Sequence, residues 1–236
     1  MEILNRTGLA GAAVAGLREE ILEGRLVQGQ RLSEVNLSSS LGVSRAPIRE
    51  ALFHLEQEGL VVSLPYKGAS VVTLSPQDFL ELSTLRTSLE KLAWARALER
   101  RTQADVRAMK VIIDEMRHAV ENGHQEKLVR LDLDFHEHVF LVADHSRLHA
   151  AWQAIKWQVA LYLLTRRIQV DDYHSIIVPE HTELLELLSS GEAEALDATI
   201  DLHIRSAYER LSTRQVNSSV ITTSTPAPSS PSNTGG

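Results

Sequence analysis

The stretch at positions 42–52, GVSRAPIREAL, carries the signals of a helix start and constrains the N-terminal third of the chain more than any other segment. Gly42 permits the tight turn that ends a preceding helix, and Ser44 is a residue type that caps a helix N-terminus. Pro47 lies in the first turn, where its missing N–H costs little. Apolar residues then recur at helical spacing: Ile48, Ala51, Leu52 and Leu55. The pattern predicts a helix from residue 45 that buries one face.

Arg45 and Arg49 share a second face of this helix because they are four residues apart. Two cations and the hydroxyl of Ser44 at a helix N-terminus suit contacts with phosphates and guanines in a DNA major groove. An ordinary surface helix that carries two arginines explains the same spacing. The local pattern alone leaves both interpretations open.

Shorter elements are predicted on both sides of this helix, which Gly59 would stop after about residue 58. Periodicity and turn residues predict two further helices and two strands: 10–23, 33–41, 60–63 and 69–72. We expect Ser33 to cap the second of these helices, whose apolar residues would enter the core: Val35, Leu37 and Leu41. Residues 1–9 are expected to be loose.

The two predicted strands would form a hairpin, or wing, around residues 65–68. Lys67 at its tip is a candidate phosphate contact, and Gly68 would let the backbone approach a ligand closely. A solvated loop charge explains Lys67 more simply when that residue is considered alone.

From Leu17 to Val72 the chain resembles the winged helix-turn-helix of the GntR family of bacterial transcription regulators. The matching residues follow a fixed order: Ile21, Gly24, Gly29, Leu32, Glu34, Leu37, the whole stretch at 42–52, Leu55, Glu56, Gly59, Leu60, Gly68 and Val71. The resemblance implies a DNA-binding domain at 10–74. Its contacts with double-stranded DNA would come from six residues: Ser44, Arg45, Pro47, Arg49, Lys67 and Gly68.

Charge and composition limit the class of protein. The net charge is −7, but the first 75 residues are nearly neutral, with seven Lys or Arg against eight Asp or Glu. A local basic patch there can still bind phosphate in a salt-sensitive way. The chain has no cysteine, which excludes disulfides and thiolate metal sites. No apolar run approaches the roughly 20 residues of a membrane span, and we expect a cytoplasmic protein without a membrane partner.

A second, all-helical unit is predicted at 75–213. Ser75, Pro76 and Asp78 form a strong helix start. Six helices are expected to follow: 77–99, 103–122, 125–143, 146–168, 178–190 and 192–212. The Ser-, Thr- and Pro-rich segment at 214–236 is expected to be disordered. The predicted fold class is therefore mainly α, with a winged helix-turn-helix followed by a helical bundle.

Four polar residues of the second unit fall in or beside apolar rows. Asp132 and His136 are one helical turn apart, and His181 and His203 occupy positions that leucines and isoleucines otherwise fill. One inward histidine is more often a hydrogen-bonded core residue than a ligand. Three with one aspartate in a small bundle indicate a divalent cation site, because burying these groups unpaired would be costly. The nitrogen-rich set favours zinc, nickel or similar ions over calcium or magnesium, with zinc or nickel first.

Residues 78–210 also resemble the effector-binding domain called FCD, which follows this DNA-binding head in the FadR subfamily of GntR regulators. The matching residues are Arg86, Glu90, the segment at 132–136 (DLDFH), Glu180, His181, Gly191, Glu192 and His203. The resemblance implies the same four metal ligands. It also implies a small organic acid whose carboxylate completes the coordination, with Arg86 as its candidate partner.

These observations favour a ligand-responsive transcription regulator that acts as a homodimer on an inverted repeat of operator DNA, by default as a repressor. Two alternatives stay open. The first is a metal-dependent hydrolase or lyase on the bundle, although no HExxH or GxSxG motif is present. The second keeps the regulator but gives the metal a purely structural role.

Overall fold

The computed structural model describes the backbone of residues 2–64, 66, 68–169 and 173–222, and their side chains except those of 2–7, 125, 166–169 and 210–222. The described chain is mainly helical, as predicted, with a small N-terminal sheet. The N-terminal head holds these elements: α1 (Glu2–Leu22), β1 (Arg31–Leu32), α2 (Glu34–Leu41), α3 (Arg45–Gln57), β2 (Val61–Leu64) and β3 (Gly68–Val71). The three strands are antiparallel in the order β1-β3-β2.

Local signals set the ends of α2 and α3 where the sequence predicts them. The Ser33 side chain accepts a hydrogen bond from the backbone N–H of Asn36 and caps α2. Gly42 ends α2 in the left-handed conformation with φ 64°. α3 then buries the predicted apolar face: Ile48, Ala51, Leu52 and Leu55. The helix-turn-helix is therefore confirmed.

Two expectations for the head are wrong, and one strand was not predicted. α1 begins at Glu2, so residues 2–9 are helical, because no proline interrupts the helix whose Ala10 and Leu17 are buried. Val35 and Leu41 are exposed, since α2 packs chiefly against α3, whereas Leu37 packs against the core as predicted. β1 was not predicted, because a two-residue strand shows no alternation and forms only by pairing with distant β3.

The second unit is a bundle of six helices within the described residues: α4 (Pro76–Arg100), α5 (Gln103–Glu121), α6 (Leu128–Val142), α7 (Ser146–Gln169), α8 (Tyr173–Ser190) and α9 (Ala193–Thr222). Capping boxes start α4, with Ser75 and Asp78, and α5, with Thr102 and Asp105. α4 packs against α6, α7, α8 and α9 and so lies at the centre of the bundle. No described helix is long and apolar enough to cross a membrane.

Two helix ends differ from the prediction. α8 begins at Tyr173, five residues before the expected start, and carries Pro179 inside it. α9 continues to Thr222, past the expected end near 212, so part of the segment predicted to be disordered is helical. The remainder of that segment, residues 223–236, lies outside the described residues.

Candidate functional site

The interior of the bundle contains a cluster of buried polar side chains. α6 contributes Asp132 and His136, α8 contributes His181 and α9 contributes His203, and each is at most 6% exposed. The three histidines offer nitrogen atoms that lie within 4.8 Å of one another. Asp132 joins them, with Oδ1 3.7 Å from His136 Nε2 and Oδ2 3.6 Å from His181 Nε2. The four residues predicted from the sequence as metal ligands therefore come together.

Each imidazole of the cluster has an oxygen atom beside its Nδ1. His181 Nδ1 lies 2.7 Å from the Ile177 carbonyl oxygen, and His203 Nδ1 lies 3.0 Å from Glu180 Oε2. His136 Nδ1 lies 2.6 Å from Glu90 Oε2, at an angle outside the range of a hydrogen bond. An N–H at Nδ1 leaves a lone pair on Nε2, which is the arrangement that outer contacts impose on metal-ligating histidines.

Burial sets the protonation state of these imidazoles. It lowers the pKa of His181 to about 4, and it lowers the pKa of His136 and of His203 as well. All three are therefore neutral near pH 7, as nitrogen ligands must be. Burial opposes ionisation of Asp132, but His181, His136 and Arg86 outweigh it and lower the pKa of that carboxyl.

Arg86 and Glu90 on α4 close one side of the cluster. Arg86 is 3% exposed, its Nε donates to Glu90 Oε1 at 2.5 Å, and its Nη2 lies 3.7 Å from Asp132 Oδ1. Burial opposes the charge on the guanidinium, but Glu90 and Asp132 outweigh it and raise the pKa of Arg86. The side chain predicted to meet an effector thus borders the histidine cluster as a buried cation.

The cluster contains buried polar atoms that the protein itself does not satisfy. They are Arg86 Nη2, Asp132 Oδ1, both ring nitrogens of His136, and His181 Nε2. Leaving such atoms unpaired costs about 1–3 kcal/mol each, and more for charged groups. A divalent cation would satisfy the oxygen and the two Nε2 atoms, and an anion would satisfy the guanidinium. The donor set therefore fits a metal ion of the kind that prefers nitrogen ligands.

A second candidate surface lies at the start of α3. Ser44 is the N-cap residue, has extended backbone and makes no side-chain capping hydrogen bond. Arg45 and Arg49 are exposed, and the Nε of Arg49 donates to Glu34 Oε2 of α2 at 2.8 Å. Three polar side chains of α3 and its cap therefore face solvent together, as a DNA-reading surface requires.

The other predicted DNA-contact residues are Pro47, Gly68 and Lys67, and they lie in different parts of the head. Pro47 is buried in the first turn of α3, so its ring packs inside the head and does not form part of the exposed surface. Gly68 starts β3 with φ 76° and is exposed at the wing, beside the fully exposed Tyr66. Lys67 lies outside the described residues.

Comparison with known proteins agrees with this architecture. The pattern described as bacterial regulatory proteins, gntR family, matches residues 9–71, and the FCD domain matches residues 81–206. The chain belongs to the GntR family of bacterial regulators and carries an FCD domain.

Individual proteins match more than four fifths of the chain. The HTH-type transcriptional regulator YdhC of Bacillus subtilis is 28% identical over 83% of this chain and 87% of its own length. The HTH-type transcriptional repressor RspR of Escherichia coli is 25% identical over 85% of this chain and 86% of its own. The structure of McbR/YncC from E. coli has a TM-score of 0.77 at 20% identity, over 88% of this chain and 98% of that one, which shows the shared fold.

Membership of the GntR family decides between the function classes considered above. The chain is a DNA-binding transcriptional regulator and not an enzyme, and several of its relatives are named repressors. The hydrolase or lyase alternative has no support. The cluster of Asp132 and three histidines is accordingly a candidate binding site and not a catalytic centre.

Two carboxylates of the FCD domain lie beside cluster histidines, which the sequence did not predict. Glu90 and Glu180 were noted only as part of the family resemblance, yet each faces the Nδ1 of a cluster histidine. Glu90 had a local signal, because Arg86 and Glu90 form an i, i+4 pair within an otherwise apolar buried row of α4. Glu180 had none beyond its position next to His181.

Proposed function

We propose that this chain is a repressor whose bundle binds a divalent transition metal, zinc or nickel, and a small organic acid that controls DNA binding by the head. The observation that carries the proposal is the convergence of Asp132, His136, His181 and His203 beside the unsatisfied Nη2 of Arg86. The four residues would hold the metal, and the metal would supply a Lewis-acidic position for a carboxylate oxygen. Arg86 would bind the same carboxylate by a charge-assisted hydrogen bond.

The charges of the buried groups favour this pair of ligands. With neutral imidazoles, Arg86, Glu90 and Asp132 carry a net charge of −1, which is unfavourable in a dry interior. A divalent cation changes this to +1, and one carboxylate then restores neutrality. An organic monoacid is therefore a better match than a neutral sugar.

The DNA contact would be made by two heads. Ser44, Arg45 and Arg49 at the N-terminus of α3 would enter the major groove, and Gly68 and Lys67 of the wing would meet the backbone. One head with two arginines binds weakly at physiological salt, so tight binding needs a homodimer on an inverted repeat. Leu85 and Leu92 are seven residues apart and exposed on α4, and they offer an apolar face for the second copy.

A physical connection joins the bundle to the DNA-reading helix. Arg18 on α1 donates from Nη2 and Nε to Glu58 Oε1 and Oε2, at 2.6 and 3.0 Å, and Glu58 is the C-cap residue of α3. The guanidinium of Arg18 also stacks on Trp157 of α7, with Cζ 4.4 Å from the ring centroid. A shift of α7 would therefore move Arg18 and, through Glu58, the C-terminal end of α3.

The connection continues from α7 to the candidate metal ligands. Lys156, next to Trp157, donates to Glu137 Oε2 at 3.0 Å, and Trp152 donates to the same oxygen at 2.6 Å. Glu137 follows His136 directly on α6. In this proposal, ligand binding at the cluster changes the position of the head through α6, α7 and Arg18. Such coupling requires that these contacts have two alternative arrangements, one of which the ligand favours.

The proposed function can be tested with the purified protein and the promoter beside its own gene. Fluorescence anisotropy should show salt-sensitive binding to one inverted repeat, and light scattering should show a dimer. Calorimetry of the zinc-loaded protein against a panel of organic and sugar acids should then identify an acid that lowers DNA affinity. Absence of DNA binding even at low salt would contradict the proposal, and so would a metal-loaded protein that responds to no acid.

Arg18→Ala is expected to weaken the control of DNA binding without weakening DNA binding itself. Without the effector, DNA affinity should change less than about threefold, because Arg18 is distant from Arg45 at the other end of α3. The effect of the acid on DNA affinity should shrink about fivefold or more, which is the lower range of allosteric coupling. Arg25→Ala is the matched control, because exposed Arg25 pairs with Glu20 and Glu23 inside the head. An unchanged response in Arg18→Ala would exclude this route.

A further inference from the structure

The buried carboxylate of Glu90 on α4 accepts hydrogen bonds from Arg86 and Trp94 and also lies beside a ring nitrogen of His136. Its Oε1 accepts from Arg86 Nε at 2.5 Å. Its Oε2 accepts from Trp94 Nε1 at 3.2 Å and lies 2.6 Å from His136 Nδ1. We propose that Glu90 is a positioning residue that orients both the metal-ligating imidazole of His136 and the anion-binding guanidinium of Arg86.

The proposal follows from what each group can donate and accept. A neutral imidazole carries one N–H and one lone pair, whereas an ionised carboxylate only accepts. With Glu90 beside Nδ1, His136 keeps its N–H there and its lone pair on Nε2, which lies 3.7 Å from Asp132 Oδ1. Glu90 therefore selects the tautomer that can ligate a metal, and its other oxygen holds Arg86 at the neighbouring position.

A glutamine cannot perform both tasks. Its amide has one accepting oxygen and one donating nitrogen, while donors approach Glu90 on both sides. If the amide nitrogen faces Arg86, two donors meet and the guanidinium must move. If it faces His136, the imidazole must move its N–H to Nε2 and lose the lone pair that would ligate the metal. The substitution Glu90→Gln keeps size and shape, so it isolates this effect.

The contacts can be tested without metal or effector. In the metal-free wild-type protein at pH 7.5, the ¹⁵N resonances of His136 should show a protonated Nδ1 and a bare Nε2, and the Nε–H of Arg86 should give a slowly exchanging signal. Glu90→Gln should convert His136 wholly or partly to the Nε2–H tautomer, or shift the Arg86 signal. The matched control is Glu180→Gln, because Glu180 faces His203 Nδ1 and should leave the His136 tautomer unchanged.

Metal affinity provides the second measurement. Competition with a chromophoric chelator should show that Glu90→Gln binds zinc about 10- to 100-fold more weakly than wild type, as loss of such outer contacts usually does. Circular dichroism verifies that the variant is folded. If the variant does not fold, the wild-type tautomer alone decides, because an Nε2–H tautomer of His136 in the wild type overturns the proposal.

The inference rests on the proposed function for its biological meaning, but the two can fail separately. If wild type binds no zinc while Glu90→Gln still alters the His136 tautomer, the proposed metal site is wrong and the positioning role stands. If both proteins bind zinc equally and His136 keeps the same tautomer in both, the positioning role is overturned and the metal site stands.

Discussion

Zinc at about a thousandfold excess over its Kd is expected to stabilise the folded protein by about 4 kcal/mol and to raise its melting temperature by about 10 °C. The reason is that Asp132 and the three histidines converge only in the folded bundle, so the metal binds the native state preferentially. His203→Gln should abolish most of this rise, because it removes one imidazole while retaining a side chain of similar size. Differential scanning fluorimetry with and without zinc measures both effects.

The matched control is His138→Gln. His138 lies on α6 like His136, but its Nε2 is 3.7 Å from Asp105 of α5 and it is not a member of the cluster. Its substitution should leave the zinc-dependent rise intact. An equal loss in both variants would show that the rise comes from zinc bound elsewhere and would contradict the assignment.

The same experiment separates a sensory metal from a structural one. If the metal only holds α6, α8 and α9 together, the organic acid should add no stability to the zinc-loaded protein. If the metal and Arg86 together receive a carboxylate, the acid should raise the melting temperature further in wild type. That additional rise should be absent in His203→Gln, and acid-dependent release of DNA should vanish with it.

Much of the fold could be predicted because its signals are local. A helix end at Gly42 needs a left-handed residue, and the start of α4 needs an N-cap with an acid three residues later, so short strings of sequence suffice. β1 was missed because a two-residue strand exists only through its pairing with Ser70 and Ala69 of β3. Val35 and Leu41 are exposed although they were predicted to be buried. A hydrophobic side chain gains free energy from burial, but the sequence does not show whether a partner surface is present to bury it.

The candidate site, like the fold, could be predicted only in part. Helical periodicity predicts that His181 and His203 point inward, but the spacing within one helix cannot show that α6, α8 and α9 bring them to a common point. That step was inferred from the cost of burying the four groups unpaired and from the family resemblance, and the coordinates agree with it. The carboxylates beside Nδ1 of His136 and of His203 were not predictable from spacing, because Glu90 and Glu180 meet these histidines only across helix–helix contacts. The contact of Arg18 with Trp157 likewise joins residues that are distant in the chain.

The double substitution Arg45→Ala with Arg49→Ala is expected to lower operator affinity by about 30-fold to about 10⁴-fold per head at physiological salt. Each arginine that reads a guanine or binds a phosphate contributes about 1–3 kcal/mol, and the two side chains are exposed on one face of α3. The fold should survive, because Arg49 makes only an exposed pair with Glu34, which contributes at most about 1 kcal/mol. Fluorescence anisotropy with the operator measures the affinity, and circular dichroism verifies the fold.

A matched pair of arginines in the FCD domain makes this result specific to α3. Arg107 and Arg117 are exposed on α5, and Arg117 pairs with Asp114 on the same helix. Replacing both by alanine removes the same charge from the protein and should change operator affinity by less than about threefold, because charges farther away than a Debye length of about 8 Å are screened. The dependence of affinity on salt should become shallower only in the α3 variant, since only that variant loses contacts which release counterions from DNA. If both double variants bind the operator as wild type does, α3 is not the helix that reads DNA, and the wing or another surface must make the contact.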